Sequence, residues 1–268
     1  MKFKTILVLF NVVLIFAFLS ILLLPLIIIG SDFFFLFVSR NWYILLAFLI
    51  VIISINIYFA MKWKLFNLLE EEKWDALIDY LEEQIYQKGK MYRDFIKVLL
   101  NTYLITSRLE SIRKLEVYLG EKKPGLINRY PLAFSVPYLL KSEPKEAEKF
   151  FGKLLSAGNL AEREWIKWNY AFALMQEKQF DIAREELLEL YENGRKFIPF
   201  LLTLYFLNSY SRYDESIREK VERGKEKLLL EKNMKKLNRE ISSSSENMEA
   251  LILSQIIEEA YNWLNERK

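Results

Sequence analysis

From Thr5 to Ile29 the chain runs for twenty-five residues without a charged side chain, and Leu, Ile, Val and Phe fill most of the positions. As a helix this stretch is roughly 37 Å long, enough to cross a bilayer with some tilt. A second uncharged run of twenty residues extends from Trp42 to Met61, and between the two Gly30 to Asn41 reads as a short apolar and aromatic loop. A cleaved signal peptide is the competing reading of the first run. Its apolar length exceeds the usual ~7–15 residues, however, and no small-x-small cleavage site follows it. Lys2 and Lys4 precede the first run, Lys62 and Lys64 follow the second, and the loop offers only Arg40, offset by Asp32. The cytoplasmic bias of Lys and Arg then sets both termini in the cytoplasm. Phe33, Phe34, Phe35, Phe37, Trp42 and Tyr43 belong at the outer interface, with Tyr58 and Trp63 at the inner one. The polar groups Asn11, Ser20, Ser54 and Asn56 are expected to face each other inside the hairpin or to lie near the interface; contact with a partner helix is the alternative. No intramembrane charge marks a proton or ion path, so the hairpin reads as an anchor.

The rest of the chain is of a different kind. Five of the 38 cations and one of the 35 anions fall in residues 1–64, which leaves 33 cations and 34 anions beyond. That near-neutral balance gives no broad basic face for nucleic acid. With 8 Gly and 6 Pro, turn-rich β architecture is disfavoured and helices dominate. The absence of Cys and His removes thiol chemistry, ordinary zinc sites and the commonest general base near neutral pH. Acidic clusters such as Glu70–Glu72 and Glu185–Glu186 read as solvated helix faces. No catalytic residue, metal ligand or cofactor site is expected, and the chain is read as a non-enzyme.

A short phrase recurs through this second part. Phe180-Asp181-Ile182-Ala183 has near-copies in Trp74-Asp75-Ala76-Leu77, Leu109-Glu110-Ser111-Ile112, Pro144-Lys145-Glu146-Ala147 and Tyr213-Asp214-Glu215-Ser216. Taking Leu77, Ile112, Ala147, Ala183 and Ser216 as equivalent, the gaps are 35, 35, 36 and 33 residues. Nine places earlier stand Leu68, Tyr103, Tyr138, Leu174 and Leu207; twelve places earlier stand Leu65, Leu100, Ser135, Ala171 and Leu204. Gly89, Pro124 and Asn159, all helix-ending types, follow the first three copies. A period near 34 built of two helices is that of a repeat solenoid; an irregular helical bundle with accidental periodicity is the plainer alternative. Over about residues 65–224 the pattern resembles the tetratricopeptide repeat family in degenerate form, with the copy from Trp168 to Tyr191 nearest to it. The first repeat's helix near Lys62–Glu72 leaves the second apolar run without Gly or Pro, so the two are expected to form one helix.

The resemblance implies that the first helix of each pair lines a concave surface. There the middle repeats supply Leu132, Val136, Leu139 and Leu140, then Trp165, Trp168, Phe172 and Met175, then Ile198, Leu201 and Tyr205. This is an apolar groove suited to an amphipathic helix or an apolar segment, unless curvature or the chain itself covers it. The family's cationic clamp for a peptide carboxylate is incomplete. Lys97 and Asn101 match it, but Leu132 and Val136 stand where it needs polar residues.

Lys225 to Glu240 reads as a charged, solvated helix, and Ser242–Ser245 as a joint. Glu246 to Lys268 is a fresh helix with Ser245 as its N-cap and an apolar stripe of Leu251, Ile252, Ile256, Ala260, Trp263 and Leu264. It either caps the array or folds into the groove as an internal ligand. The expected organisation is all-α: residues 1–62 a transmembrane hairpin, 63–224 the helical repeats, 225–268 a helical extension. The expected role is a protein-interaction scaffold held at the membrane, without nucleic-acid or small-molecule partners. A small accessory subunit whose spans make the main contacts is the alternative. Composition fits a bacterial chain, hence the inner membrane.

Overall fold

The computed structural model describes residues 3–141, 143–230 and 253–266. Among them every regular element is a helix, and they divide into two compact units, Met1–Lys90 and Met91–Lys268. The boundary expected at 62/63 falls inside a continuous helix. The serine run 242–245 and the start of the last expected helix lie outside the described residues.

The first unit opens with α1 (Phe3–Ile29) and α2 (Ser31–Glu70). A single residue, Gly30, joins them at φ 103° and ψ 176°, a conformation essentially reserved for glycine. The loop expected over Gly30 to Asn41 is therefore mostly helix. Residues 31–40 hold neither Gly nor Pro, and the helical path breaks only at Asn41 (φ −118°, ψ 21°). The two helices run antiparallel: Phe18 stacks on Phe48 at 5.0 Å, and the Asn56 amide donates to Asn11 Oδ1 at 2.8 Å. The amide N–H groups of both asparagines also reach carbonyls of their own helices, Leu7 and Ile52. Ser20 and Ser54 face outward. Leu7–Ile28 and Leu46–Glu70 are long and apolar enough to cross a membrane, with mean hydropathies of 3.0 and 1.9. As expected, α2 carries on past Lys62 and Lys64 without interruption. It buries Leu65 and Leu68 and then receives α3 (Trp74–Glu82), which ends in a π-helical turn at Glu83–Gln87.

The second unit is a succession of helix pairs: α4 (Arg93–Ile105) with α5 (Leu109–Lys122), α7 (Pro131–Leu140) with α8 (Pro144–Leu155), α9 (Arg163–Gln176) with α10 (Phe180–Asn193), and α11 (Phe197–Tyr210) with α12 (Glu215–Leu230). A five-residue helix, α6 (Gly125–Arg129), links the first two pairs, and α13 (Ser254–Asn265) packs on α11. Each second helix lies against its own partner and, from α5 to α10, against the first helix of the next pair. The first helices also touch in a row, α4 to α7 to α9 to α11.

The recurring phrase is the start of the second helix. Trp74, Leu109, Pro144 and Phe180 are the first residues of α3, α5, α8 and α10. Three residues on, Leu77, Ile112, Ala147 and Ala183 are buried to 4 % exposure or less. In the fifth copy the register slips: Ser216 is exposed and Ile217, at 1 %, takes the inward place. The residues nine and twelve places ahead are buried throughout, apart from half-buried Tyr138.

The turns repeat as well. Glu72, Ser107 and Lys178 are left-handed (φ 51°, 55° and 62°), each five residues before its marker. Behind each, the next N–H closes a six-residue loop: Lys73 to the Leu68 carbonyl (3.1 Å), Arg108 to Tyr103 (2.8 Å), Gln179 to Leu174 (2.9 Å). This double-bonded helix end normally prefers glycine at the left-handed residue. Here side chains with a Cβ occupy it, so these turns give no glycine signal.

Side-chain links join the pairs. Arg113 on α5 pairs with Glu143 and, at 2.9 Å, with Glu146 of α8, while Tyr138 donates to Glu116 at 2.7 Å and stacks on Phe150. Burial raises the pKa of both Tyr138 and Glu116; the shared hydrogen bond raises the phenol further and partly offsets the rise at the carboxyl. Lys167, nearly buried on α9, pairs with Glu186 (3.0 Å) and Glu189 of α10. Size is balanced across the last pair: Leu204 fills a place where the preceding pair has Ala171, and Gly224 on α12 leaves room for it. A Cβ at 224 would stand 2.5 Å from Leu204 Cδ2.

Two stability predictions follow from this register. Ser107→Gly and Lys178→Gly each raise unfolding free energy by roughly 0.5–1 kcal/mol, because glycine suits a positive φ. Gly224→Ala lowers it by about 1–2 kcal/mol, since overpacking against buried Leu204 outweighs the better helix propensity. Denaturant midpoints of the full chain in detergent check both; a midpoint that moves the other way rejects the corresponding assignment.

Candidate functional site

The row of first helices presents the residues read from the sequence as a partner-binding groove. The structure packs most of that groove. Leu132, Val136, Trp165, Trp168, Ile198 and Leu201 are buried, each at 9 % exposure or less. Leu139, Phe172, Met175 and Tyr205 are half-buried, and Leu140 is exposed. What reaches solvent is thus a narrower strip running over α7, α9 and α11. The first helices pack extensively on the second helices and touch one another along the row, which covers much of their apolar surface.

Aromatic rings give the strip its order. Trp168 stacks on Phe172 one turn away, with centroids 5.4 Å apart and planes at 10°. Phe206 of α11 meets both edge-on, at 5.4 and 5.8 Å. Tyr205 touches Phe206 at 5.7 Å and, on its other side, Trp263 of α13 at the same separation. Such offset and edge-to-face pairs each add about 0.5–1.5 kcal/mol beyond the area they bury. The Trp168 indole N–H is buried within this cluster without a hydrogen-bond acceptor.

Helix α13 is held at the Tyr205 end. Ala260 and Leu264 are buried, the Tyr205 hydroxyl donates to Glu259 at 3.4 Å, and Lys225 of α12 both lies over the Trp263 ring (4.0 Å) and donates to its carbonyl (2.9 Å). Desolvation and the Glu259 carboxylate push the Tyr205 phenol above its ordinary pKa. The apolar stripe expected at Ala260, Trp263 and Leu264 is the face that α13 uses; Leu251 and Ile252 lie outside the described residues. Lys225, expected to be solvated, is instead part of this seat.

The connection between α9 and α11 is set by one carboxylate. Glu164 Oε2 accepts from the backbone N–H of Arg195 (3.0 Å) and Lys196 (2.8 Å), just ahead of α11, so the two rows of groove residues keep a fixed offset. Among the described residues no cluster of three carboxylates is placed to hold a metal ion. The arrangement offers apolar and aromatic contact area.

Comparison with known proteins gives relationship rather than activity. The family model described as "Uncharacterised Treponema protein" matches residues 111–266. A curated "Uncharacterized protein" of Treponema pallidum (strain Nichols) is 26% identical over 163 residues, which is 61% of this chain and 52% of that protein. The chain therefore spans about half the length of the relative it matches. No solved structure matches it. The matched segment begins within α5 and takes in the helix pairs from α7 onward and α13, more than half of the molecule, and the chain belongs to this family of uncharacterised Treponema proteins.

Proposed function

We propose that the protein is a membrane-anchored scaffold of the tetratricopeptide type, with both termini in the cytoplasm, that holds a protein partner along its row of first helices. One observation carries the reading: beyond the break at Asn41, α2 runs on to Glu70 without interruption, so that its apolar run and first-repeat segment are one continuous helix. A span that ends as a repeat helix has no use as a flexible tether; it sets the first pair at the membrane surface. Lys62 and Lys64 sit where the apolar run gives way, as cytoplasmic flanks do. Asn56 donates to Asn11 within the hairpin, which engages both side chains there and favours an anchor over an accessory-subunit contact. The partner class is an amphipathic helix or apolar segment laid on Leu139, Phe172, Met175 and Tyr205, because that strip couples aromatic area to partial exposure.

The chain has no cysteine, so single introduced thiols report topology without background. A membrane-impermeant maleimide should label Ser39→Cys in intact cells, and Ser209→Cys only after permeabilisation. Labelling of both, or release of the chain by alkaline carbonate, rejects the anchor.

The partner is addressed separately. A photocrosslinking residue at Met175 should give a discrete adduct with one other protein. The same residue at Val117, exposed on α5, should give at least fivefold less of it. Equal yields at the two positions reject the strip as the docking face.

A further inference from the structure

Away from the aromatic strip, four cations converge on one recess of the second unit. Arg93 and Lys97 stand one turn apart on α4, on the same side of the helix. Lys123 follows the end of α5 and Arg129 ends α6. All four line a cavity of about 690 Å³ whose walls include no carboxylate. Elsewhere in the unit cations such as Arg113, Lys141, Lys167 and Lys220 are matched by acidic partners on a neighbouring helix. None of these four enters an ion pair among the described residues.

One backbone bond and two side-chain-to-backbone bonds hold the walls together. The Asn128 carbonyl accepts from Ala161 N–H at 2.9 Å and ties α6 to the connection between α8 and α9. The Tyr130 hydroxyl reaches the Arg93 carbonyl at 3.4 Å, and Lys123 Nζ the Met91 carbonyl at 3.5 Å. Buried Leu126 contributes an apolar wall. Beyond residue 64 the chain carries 33 cations and 34 anions, so four unpaired cations around one recess are a local excess and not a sample of a basic surface.

From this we infer that the recess binds an anion carrying at least two phosphoryl groups. Like charges gathered without counter-charge repel one another, and a bound anion reverses the sign of that interaction. Arg93 and Arg129 bring planar forks that match phosphate oxygens, and Lys97 and Lys123 bring compact ammonium groups. A phosphoryl group carries about −1.5 to −2 near pH 7, so two of them balance four cations. The volume lies in the range of small-ligand sites and exceeds what one phosphate fills. A soluble oligophosphate and a phosphorylated lipid headgroup present this same chemistry. The assignment stands independently of the scaffold reading, since every residue it uses belongs to the second unit.

The test is calorimetric titration of the full chain, in zwitterionic detergent at low salt, with pyrophosphate. Saturable binding is expected. Arg93→Gln with Arg129→Gln should weaken it at least tenfold, while Lys145→Gln with Lys149→Gln, an equal loss of charge outside the recess, should change it by less than twofold. Circular dichroism of both double variants guards against unfolding; if the Arg pair unfolds the chain, Lys97→Gln with Lys123→Gln replaces it with the same expectation. A short-chain phosphatidylinositol bisphosphate then separates the sources. Binding at least tenfold tighter than pyrophosphate points to a lipid headgroup, and equal or weaker binding to a soluble ligand. No binding of either probe, or equal weakening by the recess and control variants, overturns the assignment.

Discussion

Each described turn of the type at Glu72, Ser107 and Lys178 is closed by the same backbone hydrogen bond, from the residue after the left-handed position to the carbonyl five residues back. That bond fixes where the first helix stops and the direction in which the second departs. It also decides which residue of the second helix turns inward. Leu77, Ile112 and Ala183 sit five places after the left-handed residue, and all three are fully buried. The packing of each pair is thus a consequence of a local backbone constraint. Tertiary burial stabilises a geometry that the turn has already selected, and the burial in turn holds non-glycine residues in a conformation they would otherwise avoid.

Much of this was legible because burial imposes periodicity. The four phrases at Trp74, Leu109, Pro144 and Phe180 locate the second helices to the residue, and the small or aliphatic residue three later is buried in each. The fifth phrase misled by one position. Tyr213-Asp214-Glu215-Ser216 copies the letters, but Asp214 Oδ1 takes the N–H groups of Ser216 and Ile217 (2.9 and 3.3 Å) and starts the helix in a different way. A side-chain cap thus replaced the left-handed turn, and the inward register moved to Ile217. The segment after Gly30 was misread for the opposite reason. Its aromatic composition suggested an interfacial loop, yet without Gly or Pro nothing interrupts the helix before Asn41.

The groove was legible only in part. Helical spacing identifies which residues of the first helices point inward, and it does so for Trp165, Trp168, Ile198 and Leu201. Spacing within one helix says nothing about how closely the next helix approaches, and that distance separates an open groove from packed interior. Ring contacts from Trp168 through Phe206 and Tyr205 to Trp263 depend on three helices together. The basic recess was less visible still. Lys97 drew notice for another reason, but Arg93, Lys123 and Arg129 come from three segments that share no spacing. No motif marks them; only the fold makes them neighbours.

Charge in the second unit follows a consistent rule, and its exception is informative. Where a cation lies between two helices it is matched from the neighbour: Arg113 by Glu143 just ahead of α8 and Glu146 within it, Lys167 by two glutamates of α10, Lys220 by Glu192. Nearly buried Lys167 requires such partners, because an uncompensated charge at that depth would destabilise the α9–α10 pair by several kcal/mol. Around α6 the repeat is interrupted by an inserted five-residue helix, and no carboxylate lines the recess beside Arg93, Lys97 and Arg129. The charge excess there arises where the regular architecture is broken. The inserted helix itself joins the neighbouring pairs through buried Leu126 and Ile127, while the four cations around it stay exposed to solvent and take no part in that packing.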